Sequence, residues 1–380
     1  MKKALLVTTI SGFVPQFEMN SVHLLQENGY EVHYATNYNY VFYGKDNSRL
    51  DGTGIIRHQI DFARSPYSKQ TYIAYRQLDK LMSENEFSVI HCHTPMAGIL
   101  ARLVGNKHHV PKVFYTAHGF HFYKGAAIVN WLVYYTAERI MAKYTDALLT
   151  INKEDYNNAQ RFTLKKGGQV YYIAGAGIDT AKFKNIDVDK KLRRQELGLK
   201  DNEFVILSVG ELNKNKNHEV VIRAIAGIEH ENIKYIICGE GDYKEKLQHL
   251  IKELQLEKNV KLLGYRSDIP SIEKSVDMFA FPSFREGLPV SLMEAMASGL
   301  PVIASKVRGN VDLVKNGTNG YIADPEDVLG WAEKIQYLMK NNLERQAMSR
   351  NNQKDMANYD KKVVKKQLYS IYTGCVLKKY

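Results

Sequence analysis

The chain has 380 residues, 44% of them hydrophobic and 24% charged, enough apolar material for two cores in two domains. Its 52 Lys and Arg against 41 Asp and Glu give a net charge of +11; the excess is shared between the halves, which speaks against the single basic block of a nucleic-acid-binding arm and leaves anionic substrates or an anionic membrane surface. Cys92, Cys238 and Cys375 are too few and too dispersed for a disulfide framework or a Cys-based metal site, which implies a reducing, cytoplasmic setting, and no stretch approaches the ~20 apolar residues of a membrane span.

The start, MKKALLVTTISG, carries the charge and short apolar run of a secretory signal, but no small-residue cleavage site follows, so residues 4–10 are expected as a first β-strand. A helix near 18–28 ends at Gly29, and strands follow at 31–35, 88–91 and 112–116. Residues 187–194 are charged and poorly periodic, the composition of a linker, with Asp187 and Asp189 as solvated polar groups. Strands then recur at 204–209, 233–238, 260–263, 278–281 and 302–304, and helices at 327–339 and 363–372 finish the chain. Strand and helix alternate twice over, which predicts two doubly wound α/β domains.

Chemistry concentrates in SFREGLPVSLMEAMASGLPVIAS, residues 283–305. A buried strand leads into Glu286 and Gly287, and a helix over 292–297 then carries Glu294. Glu286 therefore sits at the carboxyl edge of a parallel sheet, where open α/β sheets bind ligands and helix N-termini attract phosphate. The segment SVGELNKNKNHE, 208–219, also joins a strand to a helix and offers Lys214 and Lys216 to an anionic group. Gly175 with Gly177, and Gly239 with Gly241, begin like dinucleotide fingerprints, but Thr180 and Lys244 stand where a third glycine belongs, which argues against a nicotinamide dehydrogenase.

These motifs resemble the donor site of the family 4 retaining glycosyltransferases of the GT-B fold, whose signature is two Glu residues separated by seven in an EG-x-P/G setting. The resemblance implies two Rossmann-like domains facing a central cleft: an acceptor-binding domain at 1–180, a linker at 181–200, a nucleotide-sugar-binding domain at 201–355, and a C-terminal helix in 356–380 that returns to the first domain. Residues 170–179 resemble the last strand of that first domain. By position, Glu286 hydrogen-bonds donor-sugar hydroxyls, Glu294 accepts from the ribose, and Lys216 meets the diphosphate. Gly12, Gly210, Gly287 and Leu288 are the further donor-site positions. Gly239 and Gly241 are either a turn beside the nucleotide or purely structural. Where the family carries an Arg, this chain has Glu211, so Lys214 or Arg285 is the candidate replacement.

His118 matches the family's histidine that faces the donor sugar, through its side chain or its backbone. His91 and His93 are expected to point to opposite sides of their strand, with no companion carboxylate at a familiar spacing, so no metal is expected there, and neither cofactor nor metal is implied by the family. For His93 and His121, acceptor binding and a structural role both stand open. The implied reaction moves a sugar with retention from a nucleotide diphosphate-sugar, a UDP-sugar, to a glycan or polyprenyl-diphosphate-linked acceptor of a bacterial surface polysaccharide. A noncatalytic glycan- or nucleotide-binding subunit is the alternative from another class. Between 120 and 143, Phe120, Phe122, Tyr123, Trp131, Tyr134 and Tyr135 alternate with Lys124, Arg139 and Lys143, a mixture that suits either a core helix or peripheral contact with an anionic membrane at its cytoplasmic face.

Overall fold

The computed structural model describes residues 1–41, 46–63, 68–229 and 232–375. They divide into two units, 1–176 together with 361–375, and 177–360. In the first, β1 (Lys2–Ile10), α1 (Met19–Glu27), β2 (Tyr30–Asn37), β3 (Ile56–Gln59), α2 (Lys69–Ser83), β4 (Phe87–His93), α3 (Pro95–Lys107) and β5 (Lys112–Ala117) precede α4 (Ile128–Asn130), α5 (Thr136–Ala142), β6 (Ala147–Thr150), α6 (Lys153–Ala159) and β7 (Gln169–Tyr172). The seven strands form one parallel sheet in the order β3-β2-β1-β4-β5-β6-β7. Continuous apolar runs such as Ala4 to Val7 are buried on both faces, as a sheet covered by helices on both sides requires.

The second unit runs through α7 (Thr180–Lys184), α8 (Lys190–Glu196), β8 (Phe204–Val209), α9 (His218–Ala226), β9 (Ile233–Cys238), α10 (Lys244–Glu253), β10 (Val260–Gly264), α11 (Ile269–Ser275) and β11 (Met278–Phe281). It continues with α12 (Val290–Ala297), β12 (Val302–Ser305), α13 (Asn310–Leu313), β13 (Gly320–Ala323), α14 (Val328–Lys340) and α15 (Asn342–Met356). Its six strands are again all parallel, in the order β10-β9-β8-β11-β12-β13. The final helix, α16 (Lys361–Cys375), belongs to the first unit, where it packs on α1 and its Tyr372 hydroxyl lies 2.7 Å from His91 Nδ1.

Three local expectations change. The charged stretch expected as a linker is partly helical and lies within the second unit: Asp189 caps α8, and Arg194, 3% exposed, donates to Ser275 O at 2.8 Å and Asp277 Oδ2 at 2.6 Å, tying the helix to the start of β11. His91 and His93 share one face of β4, with ring centroids 4.2 Å apart, because side chains two residues apart on a strand point the same way. Phe120 and Phe122 are buried at 3% and 0%, so those rings belong to the core; the large apolar side chains that reach solvent there include Ile128, Val129, Leu132, Val133 and Ile140. Among the described residues no helix is long and apolar enough to cross a membrane.

One buried ion pair stands out in the first unit. Arg102 on α3, 0% exposed, donates from Nη2 to Glu138 Oε2 on α5 at 2.8 Å and from Nε to Gly98 O at 2.9 Å. The Tyr115 hydroxyl donates to the other Glu138 oxygen at 3.0 Å, and the guanidinium lies 4.0 Å from the Tyr115 ring centroid.

Candidate functional site

In an open doubly wound sheet, a crevice opens at the carboxyl ends of the two strands where the order of connection reverses. In the second unit that switch point falls between β8 and β11, and the loops leaving those two strands carry Lys216 and Glu286. Lys216 Nζ donates to Glu286 Oε1 at 2.7 Å, with side-chain exposures of 21% and 12%, and lies 4.9 Å from the Phe281 ring centroid. The two loops are stitched together by one backbone and one side-chain bond: Phe284 N donates to Asn215 O at 2.8 Å and the Asn215 side-chain Nδ2 to Arg285 O at 3.0 Å.

Local sequence sets this loop. Asn213 accepts the Lys216 N–H, and Asn217 takes the left-handed conformation (φ +52°) that asparagine tolerates. Its amide donates to Pro282 O at 3.2 Å and Pro325 O at 2.7 Å. Gly210 packs beneath Lys216, its position for a Cβ 3.4 Å from Lys216 Cε. Gly239 and Gly241, at the exit of β9, are dictated by close approach, since a Cβ would lie 1.8 Å from Gly210 O and 2.3 Å from Leu212 O. Their backbone supports the Lys216 loop, a packing role that a turn beside a nucleotide would share.

Gly287 and the buried Leu288 lead into α12, whose second turn carries the half-buried Glu294. Arg308, 7% exposed, donates from Nε to Glu286 O at 3.0 Å. The sequence offered no signal for Arg308, because it comes from the loop after β12, far along the chain. Lys214, Arg285 and Glu211 are all exposed at the rim of these loops. At the start of α9, His218 is 3% exposed and its Nδ1 lies 3.3 Å from the Tyr235 hydroxyl. Burial, reinforced by the charge of Lys216, pushes its imidazole down to about 4. Between pH 6.5 and 4 the unfolded chain therefore binds a proton there that the folded one refuses, so stability falls as pH drops through that window. His218→Gln is expected to remove about 2 kcal/mol of that acid sensitivity between pH 7 and pH 4.5, read from urea titrations at the two pH values.

In the first unit the switch point lies between β1 and β4. Gly12 is buried just after β1, and Thr94, after β4, is held at φ +61° with its hydroxyl accepting from Thr9 N at 3.0 Å. Strained non-glycine backbone of this kind clusters at functional edges. His93 ends β4 at 0% exposure, so it reaches an acceptor only through its neighbours. His118 follows β5 with 22% side-chain exposure. The two meet Glu18, a residue that no motif or spacing singles out, in the turn before α1: His93 Nδ1 and His118 Nε2 each lie 3.4 Å from Glu18 Oε1 and 3.3 Å from each other. Burial pushes the His93 imidazole well below its usual value. Beside this cluster a 270 Å³ pocket is lined by Thr94, Met96, Ile99, Tyr115, His121 and Tyr134, and the His121 and Tyr134 rings are 4.7 Å apart.

A 640 Å³ depression in the second unit, lined by Lys190, Phe204, Asp277 and Arg345, is not a donor site by this logic. Phe204 and Asp277 mark the beginnings of β8 and β11, the edge opposite the Lys216 loop.

Two parallel doubly wound sheets, with a cation and a carboxylate paired at the switch point of the second, define the GT-B class of fold, and solved structures agree. The chain superposes on an Anabaena protein, Alr3699/HepE, crystallised with UDP and with UDP-glucose, at a TM-score of 0.80 and 20% identity, covering 98% of this chain and 100% of that one. Residues 3–152 match the model described as glycosyl transferase 4-like and residues 189–355 the model of glycosyl transferases group 1. The putative glycosyltransferase EpsD of Bacillus subtilis (strain 168) is 34% identical over 342 residues, 89% of this chain and 87% of that protein. An Escherichia coli UDP-Gal:alpha-D-GlcNAc-diphosphoundecaprenol alpha-1,3-galactosyltransferase is 33% identical over 256 residues, 66% of each. The chain belongs to the group 1, family 4-like glycosyltransferases, and it is a glycosyltransferase.

Proposed function

We propose that this enzyme transfers a sugar from a UDP-sugar, with retention at the anomeric carbon, to a glycan or polyprenyl-diphosphate-linked acceptor during bacterial surface polysaccharide synthesis. The observation that carries the reading is the Lys216–Glu286 pair at 2.7 Å on the β8/β11 switch point. In the unliganded chain each group neutralises the other. A bound donor replaces that contact: the diphosphate takes Lys216, and sugar hydroxyls take Glu286. Lys216 and backbone N–H groups then stabilise the charge that develops on the departing diphosphate. Glu286 orients the sugar rather than attacking it, and a departing phosphate oxygen accepts the acceptor proton on the same face. Gly210, Gly287 and Leu288 frame the donor, and Lys214 or Arg285 adds the charge missing at Glu211.

The Escherichia coli relative supports the donor and acceptor classes, since its name gives UDP-Gal as donor and alpha-D-GlcNAc-diphosphoundecaprenol as acceptor. On the acceptor side the reading uses the pocket at His121 and the backbone of the His118 loop, because His118 Nε2 is turned toward Glu18. Turnover of a panel of nucleotide-sugars, with the anomer of the product read by NMR, tests the assignment; activity with no UDP-sugar, or inverted product, overturns it. Glu294→Gln is expected to weaken UDP binding by roughly 30-fold, about 2 kcal/mol for one charged hydrogen-bond acceptor, as measured by calorimetry.

Peripheral membrane contact belongs to the same proposal. Ile128, Val129, Leu132 and Val133 are 78%, 60%, 67% and 48% exposed, and the exposed Lys124, Arg139 and Lys143 accompany them in the same segment. Such a surface suits an anionic leaflet that holds a lipid-linked acceptor. The chain is expected to float with anionic vesicles at low salt, and Lys124→Glu with Lys143→Glu to abolish flotation; failure of the wild type to float removes the membrane from the proposal and leaves the donor chemistry standing.

A further inference from the structure

The contact set at the β1/β4 switch point has a geometry that hydrogen bonding explains poorly. Glu18 Oε1, His93 Nδ1 and His118 Nε2 form a nearly equilateral triangle with sides of 3.4, 3.4 and 3.3 Å. Hydrogen bonds from nitrogen to oxygen fall at ~2.7 to 3.2 Å, and those to a charged oxygen are shorter still. All three sides exceed that range. Two ring N–H groups aimed at the one oxygen would also face each other across the third side. By contrast, a tetrahedral zinc ion with bonds of ~2.0 to 2.1 Å separates its ligand atoms by ~3.3 to 3.4 Å. The three atoms have the dimensions of one face of such a tetrahedron, with the cation ~0.6 Å out of their plane.

Charge points the same way. Glu18 is 6% exposed, and its contacts among the described residues are Ser21 Oγ at 2.9 Å, His93 and His118, with no Lys or Arg. A buried carboxylate is normally paired with a cation or bound to a metal. The ring of Phe13 closes over the cluster, 4.8 Å from the His118 ring and 5.8 Å from that of His93, and limits the water that would otherwise solvate the charge. Imidazole nitrogen with one carboxylate oxygen is a donor set for zinc, cobalt or iron, and not for magnesium or calcium, which take oxygen ligands.

We infer that Glu18, His93 and His118 are three ligands of a divalent transition-metal site, of the zinc class, that joins the turn before α1 to the ends of β4 and β5. Those segments are far apart in sequence, so the ion staples the carboxyl edge of the first sheet at its switch point. The fourth position faces the side of His118, the most exposed of the three ligands. Lys216 and Glu286, the proposed donor residues, belong to the other unit and are not ligands of this site.

Cobalt(II) and zinc(II) are the probes. Full-length protein, stripped with a chelator, is titrated with cobalt and its visible d–d absorption followed; metal content is measured by mass spectrometry after gel filtration. The expected results are about one equivalent per chain, tetrahedral cobalt bands displaced by zinc, and a melting temperature that rises when zinc is restored. Glu18→Gln and His118→Ala are each expected to weaken cobalt binding at least ~100-fold, beyond the usual loss of an outer-shell partner. His23→Ala, an exposed histidine on α1, is expected to leave it unchanged. Circular dichroism of each variant separates a lost ligand from a lost fold, and the wild-type titration decides the matter by itself if a variant does not fold. A wild type that takes up neither metal, or variants that bind as tightly as it does, overturns the site and leaves a polar contact of Glu18 with the two histidines. A chain that turns over a UDP-sugar but takes up neither cobalt nor zinc overturns this inference alone; one that holds zinc but turns over no nucleotide-sugar overturns the proposed function alone.

Discussion

Lys216→Met is expected to lower kcat/KM for the nucleotide-sugar by about 100- to 1000-fold, the range seen when one preorganised group that stabilises developing negative charge is removed. The leaving diphosphate gathers charge as the glycosidic bond breaks, so the loss should appear mainly in kcat. Lys216→Arg tests whether charge alone suffices: the guanidinium keeps the cation but is wider, above a Gly210 whose Cβ position already lies 3.4 Å from Lys216 Cε. Glu286→Gln removes a charged acceptor while keeping the shape, and turnover should fall by roughly 30- to 150-fold, equivalent to ~2 to 3 kcal/mol. Wild-type kcat in both folded variants would remove the switch-point pair from the mechanism.

The second large effect concerns stability. Glu138→Leu leaves Arg102 buried without its partner, and unfolding free energy is expected to fall by about 3 to 5 kcal/mol in urea titration. The double variant Arg102→Met with Glu138→Leu should recover most of that loss, because an apolar pair of similar volume avoids desolvating two charges. If the single and double variants are equally unstable, the cost lies in lost packing around Tyr115, which the Glu138 carboxylate also holds by its 3.0 Å hydrogen bond. Tyr115 and Glu138 line the 270 Å³ pocket at His121, so acceptor binding should weaken along with stability in the single variant.

The class of the enzyme was legible in the chain because its donor loops are local. Strands 204–209, 233–238 and 278–281 were expected with the bounds at which they occur, since buried parallel strands are short, unbroken apolar runs ended by polar or glycine residues. Glu286 and Lys216 each lie a few residues beyond such a strand, and a parallel sheet aligns all its strand ends on one edge. Segment identity therefore carried their position. The seven-residue interval between Glu286 and Glu294 spans a single loop and the first turn of α12, so it too was readable without tertiary contacts.

What only the tertiary structure decided is which distant residues meet. Glu18 sits in FVPQFEMNS without any spacing that links it to a histidine, and Arg308 reaches Glu286 O from the loop of a different strand. Arg194 looks like linker charge until the fold buries it against Asp277. The alternation of side chains along β4 was itself sufficient to put His91 and His93 on one face, but not to show that a carboxylate and His118 would close around His93. Sequence determines the direction of a side chain relative to its own strand, through the fixed period of the backbone. Which partner stands opposite depends on strand order, and that order is set by how the helices bury the two sheets rather than by any local interval.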